Sequence, residues 1–148
     1  MSILNKIQKD SISAMKEGKK DELEILKVII TSLKNAQIKK GREEELLKDE
    51  EIKIISSEVK KLKDAVFQYK TAGRDDLARI EKTQLEIALK YLPTQLDDKE
   101  IKNIVKEVID EVGATSKGDM GMVMGAVMKK VAGQADGNQV KEIVIKML

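Results

Sequence analysis

Apolar residues recur at intervals of three and four along nearly the whole chain, and no stretch shows the strict alternation of a strand. The pattern predicts an all-α protein with seven helices. The first runs from about Ile3 to Lys16, with Ser2 as its N-cap and Gly18 as its stop. The second starts near Asp21, places Leu23, Leu26, Ile30 and Leu33 on one face, and ends before Gly41. Gly41 to Leu47 reads as a charged turn. The third opens on Asp49 as N-cap, with Glu50 and Glu51 suited to the positive end of the helix dipole. Its seam of Ile52, Ile55, Val59, Leu62, Val66 and Tyr69 fits a shallow, bundle-like crossing, and Gly73 closes it. The fourth turns Leu77, Ile80, Ile87, Ala88 and Tyr91 inward. Pro93, the only proline, ends it, because proline disfavours helical geometry in the residue before it.

Three shorter helices follow. Asp97 and Glu100 form a capping box, and Ile101, Ile104, Val105, Val108, Ile109 and Val112 make one apolar face that stops at Gly113. Ser116 with Asp119 resembles a second box with a shorter acid. Met120, Val123, Met124, Val127, Met128 and Val131 repeat the spacing, and Gly133 ends that helix. Asp136 with Gln139 caps the last, which buries Val140, Ile143, Val144 and Met147. The expected organisation is an N-terminal bundle of four helices over residues 1–92 and a three-helix C-terminal subdomain over residues 93–148. Three helices alone fall below the size at which one core is comfortably stable, so the second part is expected to lean on the bundle or on a partner.

Composition narrows the chemistry. The 148 residues are 41% hydrophobic and 36% charged, with neither cysteine nor histidine. That removes disulfides, Cys/His zinc sites, Cys-His dyads and Ser-His-Asp triads together. No Walker loop, dinucleotide fingerprint or metal-ligand set is present, and no cofactor is expected. Asp97, Glu100, Asp119 and Asp136 read as helix caps rather than acid/base pairs, since box spacing already accounts for them. The N-terminus does not read as a signal peptide, because Lys6, Lys9 and Asp10 interrupt it, and no apolar run reaches the roughly 20 residues of a membrane span. A cytoplasmic protein with no membrane partner is the expectation.

Net charge is +2, with −1 on residues 93–148 and +3 on the remainder. Charge alone does not announce nucleic-acid binding. Phe67, Tyr69 and Tyr91 are the only aromatics, and Arg42, Arg74 and Arg79 the only arginines. Base stacking and base-specific DNA readout both have little to work with, so DNA is not an expected partner. Any bound RNA is expected to be folded and recognised by shape and backbone.

The most unusual stretch is Ser116 to Leu148. Gly121 and Gly125 sit inside an apolar helix, each at a cost of about 1 kcal/mol relative to alanine. With Gly118 and Ala132 they fall on the side away from the valines, flanked by Met122 and Lys129. Such a stripe implies a closely approaching surface: either another helix of the same protein or an external RNA backbone or protein. Lys117, Lys129, Lys130 and Lys141 are the candidate phosphate contacts, weighed against an ordinary solvated surface. Free N–H groups at Lys117-Gly118 could hold a phosphate, but Asp119 is expected to cap them. Met120, Met124 and Met128 read as core filler.

Two groups of motifs carry a resemblance. One runs from Ala72-Gly73-Arg74-Asp75-Asp76-Leu77 to Tyr91-Leu92-Pro93-Thr94-Gln95-Leu96. The other comprises Lys117-Gly118-Asp119-Met120-Gly121, Met124-Gly125 and Gly133-Gln134-Ala135-Asp136-Gly137. In these the chain resembles the GatB/YqeY family, small stand-alone proteins similar to the C-terminal tail of the tRNA-dependent amidotransferase B subunit. The resemblance implies an all-helical fold and a tRNA-linked role, with tRNA or a tRNA-processing enzyme as partner. In the amidotransferase a separate cradle domain is catalytic and the tail helps hold the tRNA; only the tail type is present here. The expected function is therefore a non-catalytic tRNA-associated module. A protein–protein interaction module is the alternative, and an accessory subunit of a carbon–nitrogen ligase with glutamine as amido donor is a third reading.

Overall fold

The computed structural model describes residues 2–148. They form seven α-helices: α1 (Ile3–Glu17), α2 (Lys20–Lys40), α3 (Lys48–Thr71), α4 (Asp75–Leu89), α5 (Asp98–Val112), α6 (Met120–Val131) and α7 (Gly137–Met147). A 3-10 turn at Lys117–Asp119 leads into α6, and no strand occurs among the described residues. The chain divides into two compact units, Met1–Leu92 and Pro93–Leu148.

In the first unit, α1 starts where the Ser2 hydroxyl accepts the Asn5 N–H at 3.1 Å, and stops at Gly18, whose φ of 71° suits a residue without Cβ. Ile7, Ala14, Ile25, Leu26, Ile29, Leu33, Ile55, Val59, Leu62 and Ala88 form one buried aliphatic cluster. Helix α2 packs against α1, α3 and α4, so its buried stripe is broad. Ile25, Leu26, Ile29 and Leu33 are its centre, while Leu23 and Ile30 are half-buried flanks. Two expectations fail here. Asp49 is not the N-cap of α3: the helix begins at Lys48 behind Leu47, whose side chain cannot cap. The neighbouring acids have other work, Glu50 pairing with Lys40 at 2.8 Å and Glu51 reaching α1. Ile80 is not inward but 43% exposed. The small side chains of Ala78 and Ala88 sit at the buried face of α4 instead, and the larger Ile80 is turned out.

Glu51 is the polar centre of this unit. It is 3% exposed, and its carboxylate accepts the N–H groups of Leu4 at 2.8 Å and Ile3 at 3.4 Å. An acid of α3 thereby satisfies the free donors at the start of α1 and meets the positive end of its dipole.

Tyr91, at the end of the same unit, donates its hydroxyl to Asp10 Oδ2 at 2.5 Å, and Lys6 lies 3.2 Å from the same oxygen and 5.5 Å from the ring centroid. The hydrogen bond from Tyr91 holds the Asp10 carboxyl below the usual carboxylate range, aided by Lys6 against a smaller opposing effect of burial. Burial, then the bond to Asp10, pushes the Tyr91 phenol up. The depressed acid contributes stability that is complete above about pH 4 and lost as pH falls through its native value. The raised phenol contributes below about pH 10 and loses that contribution as pH rises further. Tyr91→Phe is expected to cost about 1 kcal/mol at neutral pH, since Asp10 is partly solvated, and to flatten the stability profile on both flanks. Chemical denaturation from pH 2 to 11 measures both.

In the second unit, Asp97 and Glu100 exchange backbone N–H bonds at 2.8 and 2.9 Å, the expected capping box. Ile101, Val105 and Val108 of α5, Val123, Val127 and Val131 of α6, and Val140, Ile143 and Val144 of α7 make the core, with Met120, Met124 and Met128 packed against it. The expected pair at the start of α7 is different in form. Asp136 accepts from Asn138 N at 3.2 Å, while Gln139 donates across to Asp98 on α5 at 2.6 Å. Met147 is 37% exposed rather than buried, since the core ends one turn earlier at Val144. The segment before α5 is pinned to the turn after α6: Leu96 N donates to Gln134 O at 2.8 Å and Gln95 Nε2 to Gly133 O at 2.9 Å. These bonds explain why Thr94-Gln95-Leu96 and Gly133-Gln134 occur together.

Candidate functional site: the outer face of α6

Helix α6 buries Val123, Val127 and Val131 and turns Gly121 and Gly125 directly away from them. Both glycines are exposed, and a methyl built on either meets no atom within 4 Å outside the adjoining backbone of the helix itself. Within the second unit, then, no neighbouring helix packs against the stripe. Gly118 has the same outlook, and the Ser116 hydroxyl, 3.5 Å from where a Cβ would stand, is its only near neighbour. Met122, 52% exposed, borders the stripe, and Lys129 continues it one turn after Gly125.

The other candidates divide. Lys117 and Lys129 are exposed and have no carboxylate partner among the described residues. Lys130 is engaged: it pairs with Glu111 at 3.0 Å and Glu107 at 3.9 Å on α5, so it holds two helices together. Lys141 is exposed on α7, and no hydrogen bond or ion pair among the described residues joins it to α6. Ala132 closes α6 with φ 27°, the only positive φ outside glycine among the described residues, followed by Gly133 at 81°. The helix therefore stops one residue before the expected glycine, and the strained turn presents the Gln134 carbonyl to Leu96.

Asp119 forms the expected capping box with Ser116 but does not cap the Lys117-Gly118 N–H groups. Its Oδ2 accepts from Thr115 N at 3.0 Å and Ser116 N at 3.4 Å, upstream of Lys117-Gly118. The carboxylate still lies beside the entry to α6 and places negative charge there. Spacing also missed an exposed apolar residue of the same unit, Ile145 on α7. The run Ile143-Val144-Ile145 was the available signal, because one helix face cannot bury three consecutive side chains.

Comparison with known proteins is decisive about lineage. A family model described as Yqey-like protein matches residues 4–148. The chain belongs to the Yqey-like family. This Yqey-like chain is 28% identical over 132 residues to "Altered inheritance of mitochondria protein 41, mitochondrial" of Clavispora lusitaniae, covering 88% of this chain and 74% of that one. It is 39% identical over 72 residues to the E subunit of the glutamyl-tRNA(Gln) amidotransferase of Thermococcus sibiricus, covering 46% of this chain. That match spans 11% of the archaeal protein, so most of the archaeal protein has no counterpart here. The corresponding protein of Thermococcus gammatolerans is 35% identical over 68 residues, which cover 43% of this chain and 11% of that one. Among the described residues of the Yqey-like chain, no helix is long and apolar enough to cross a membrane.

Proposed function

We propose that this protein is a non-catalytic, tRNA-associated helical module: a four-helix bundle carrying a three-helix tail whose α6 face lies against folded RNA. The observation that carries the reading is the open glycine face of α6. Gly121 and Gly125 weaken their own helix and meet no other helix of the second unit, and an external surface is the reason we assign to them. Lys117 and Lys129 beside it supply charge for phosphates, and the stretch shared with a glutamyl-tRNA(Gln) amidotransferase supports tRNA as the class of RNA. A chain without cysteine fits a reducing compartment, and we place its work in the cytoplasm.

Two or three lysine–phosphate contacts give modest affinity. Raising salt from 50 to 200 mM is expected to weaken tRNA binding by roughly ten- to fortyfold. Filter binding against intact and heat-denatured tRNA tests this. Equal affinity for the denatured RNA, or no salt dependence, contradicts it. Exposed Met122 favours a second reading, a protein-docking face, because an adaptable apolar side chain beside an open backbone suits a partner helix. A stoichiometric protein partner retained after ribonuclease treatment supports that reading. Work as an accessory subunit of a carbon–nitrogen ligase is a narrower form of it.

A further inference from the structure

Phe67 is the only phenylalanine in the chain and, among the described residues, the most exposed large apolar side chain, at 72%. It lies on α3, on the side away from the buried stripe of Ile55, Val59 and Leu62. A single exposed apolar residue needs no explanation. Its surroundings do. At helical spacing from Phe67, the same face carries Lys60, Lys63 and Lys70, at i−7, i−4 and i+3, with Asp64 and Thr71 beside them. None of the three lysines has a carboxylate partner among the described residues. The cations that are paired nearby point elsewhere: Lys61 holds buried Glu58 at 3.2 Å, and Arg74 holds Asp76 at 3.2 Å. The face therefore presents three free cations, one carboxylate and an aromatic ring, spread over roughly 15 Å of helix.

We propose that this outer face of α3 binds an unpaired stretch of RNA, with Phe67 stacking on one base and Lys60, Lys63 and Lys70 contacting the flanking phosphates. An aromatic platform with cations on both sides is the arrangement that single strands need, because every base has a π-face and every linkage a charge. An apolar protein partner would not need the cations, and an acidic one would not need the ring. The surface belongs to the first unit and does not depend on α6. It also qualifies the expectation that the chain has no aromatic to offer a base.

The probe is a fluorescein-labelled ten-residue oligouridine, titrated with the full-length protein at 50 mM salt, with intact tRNA in parallel. The oligonucleotide is expected to bind more weakly than tRNA. Phe67→Ala should weaken oligonucleotide binding by about five- to hundredfold without lowering the melting temperature, since the ring is exposed. Phe67→Leu should lose nearly as much, whereas Phe67→Tyr should bind normally. Lys63→Glu with Lys70→Glu should weaken binding by more than tenfold and reduce the salt slope. Gly125→Leu, on α6, should leave oligonucleotide binding untouched, so failure here and failure of the tRNA reading are separable. Unchanged binding by Phe67→Ala, full binding by Phe67→Leu, or capture by anionic vesicles but not by oligouridine would each overturn the proposal.

Discussion

Glu51→Ala is expected to destabilise the first unit by about 3 kcal/mol, although position 51 touches no proposed partner. The side chain is almost wholly buried and accepts two N–H groups at the start of α1. Removing it leaves those donors without a partner, at about 1–3 kcal/mol, and takes away a favourable charge at the helix dipole, at up to about 1 kcal/mol more. Glu51→Gln keeps the shape and an acceptor oxygen but loses the charge, so it should recover about half of the loss. For a unit of this size the alanine variant should melt lower by on the order of 15 °C. Calorimetry on the two variants checks it. A fall of less than about 3 °C for Glu51→Ala would show that solvent replaces the carboxylate freely.

Gly125→Leu is expected to do the opposite to stability and to have its largest effect on binding. Within the second unit a Cβ at this position meets no packed neighbour within 4 Å, so the helix gains most of the roughly 1 kcal/mol that glycine costs it. The same isobutyl group projects several ångströms into the space a partner must occupy. Close backbone approach is then impossible, and affinity for folded tRNA should fall by more than tenfold. Gly121→Leu, one turn earlier, should behave alike. Lys130→Ala is a useful contrast: it removes a link between α5 and α6 and should act on stability more than on binding.

The helices and their inward faces were legible in the sequence because 3.6-residue periodicity is a local signal. The caps were legible where both partners lie within one turn, as at Ser2 and Asp97. Caps formed from a distance were not. Glu51 serves a helix 47 residues away, and α3 begins behind Leu47 without the side-chain cap expected of Asp49. Gln139 likewise crosses to Asp98, 41 residues earlier. Ile80 and Met147 were misplaced because periodicity fixes an angle around a helix but not where the neighbouring helix ends. At the candidate site, the glycine stripe was visible as a breach of propensity. Which surface met it was not, because an internal helix and an external partner leave the same sequence mark. The engagement of Lys130 and the exposure of Phe67 both depend on what other helices do, and no spacing rule carries that information.

On the proposed function, α6 offers its backbone to folded RNA. Thermal melting and tRNA titration on the same preparations of Gly121→Leu and Gly125→Leu test it most directly. The expected result is a melting temperature equal to or above that of the parent protein, with tRNA affinity reduced more than tenfold for both variants. Unaltered melting together with unaltered tRNA binding would contradict the claim, because a surface that accepts a leucine at either position is not one that needs a glycine.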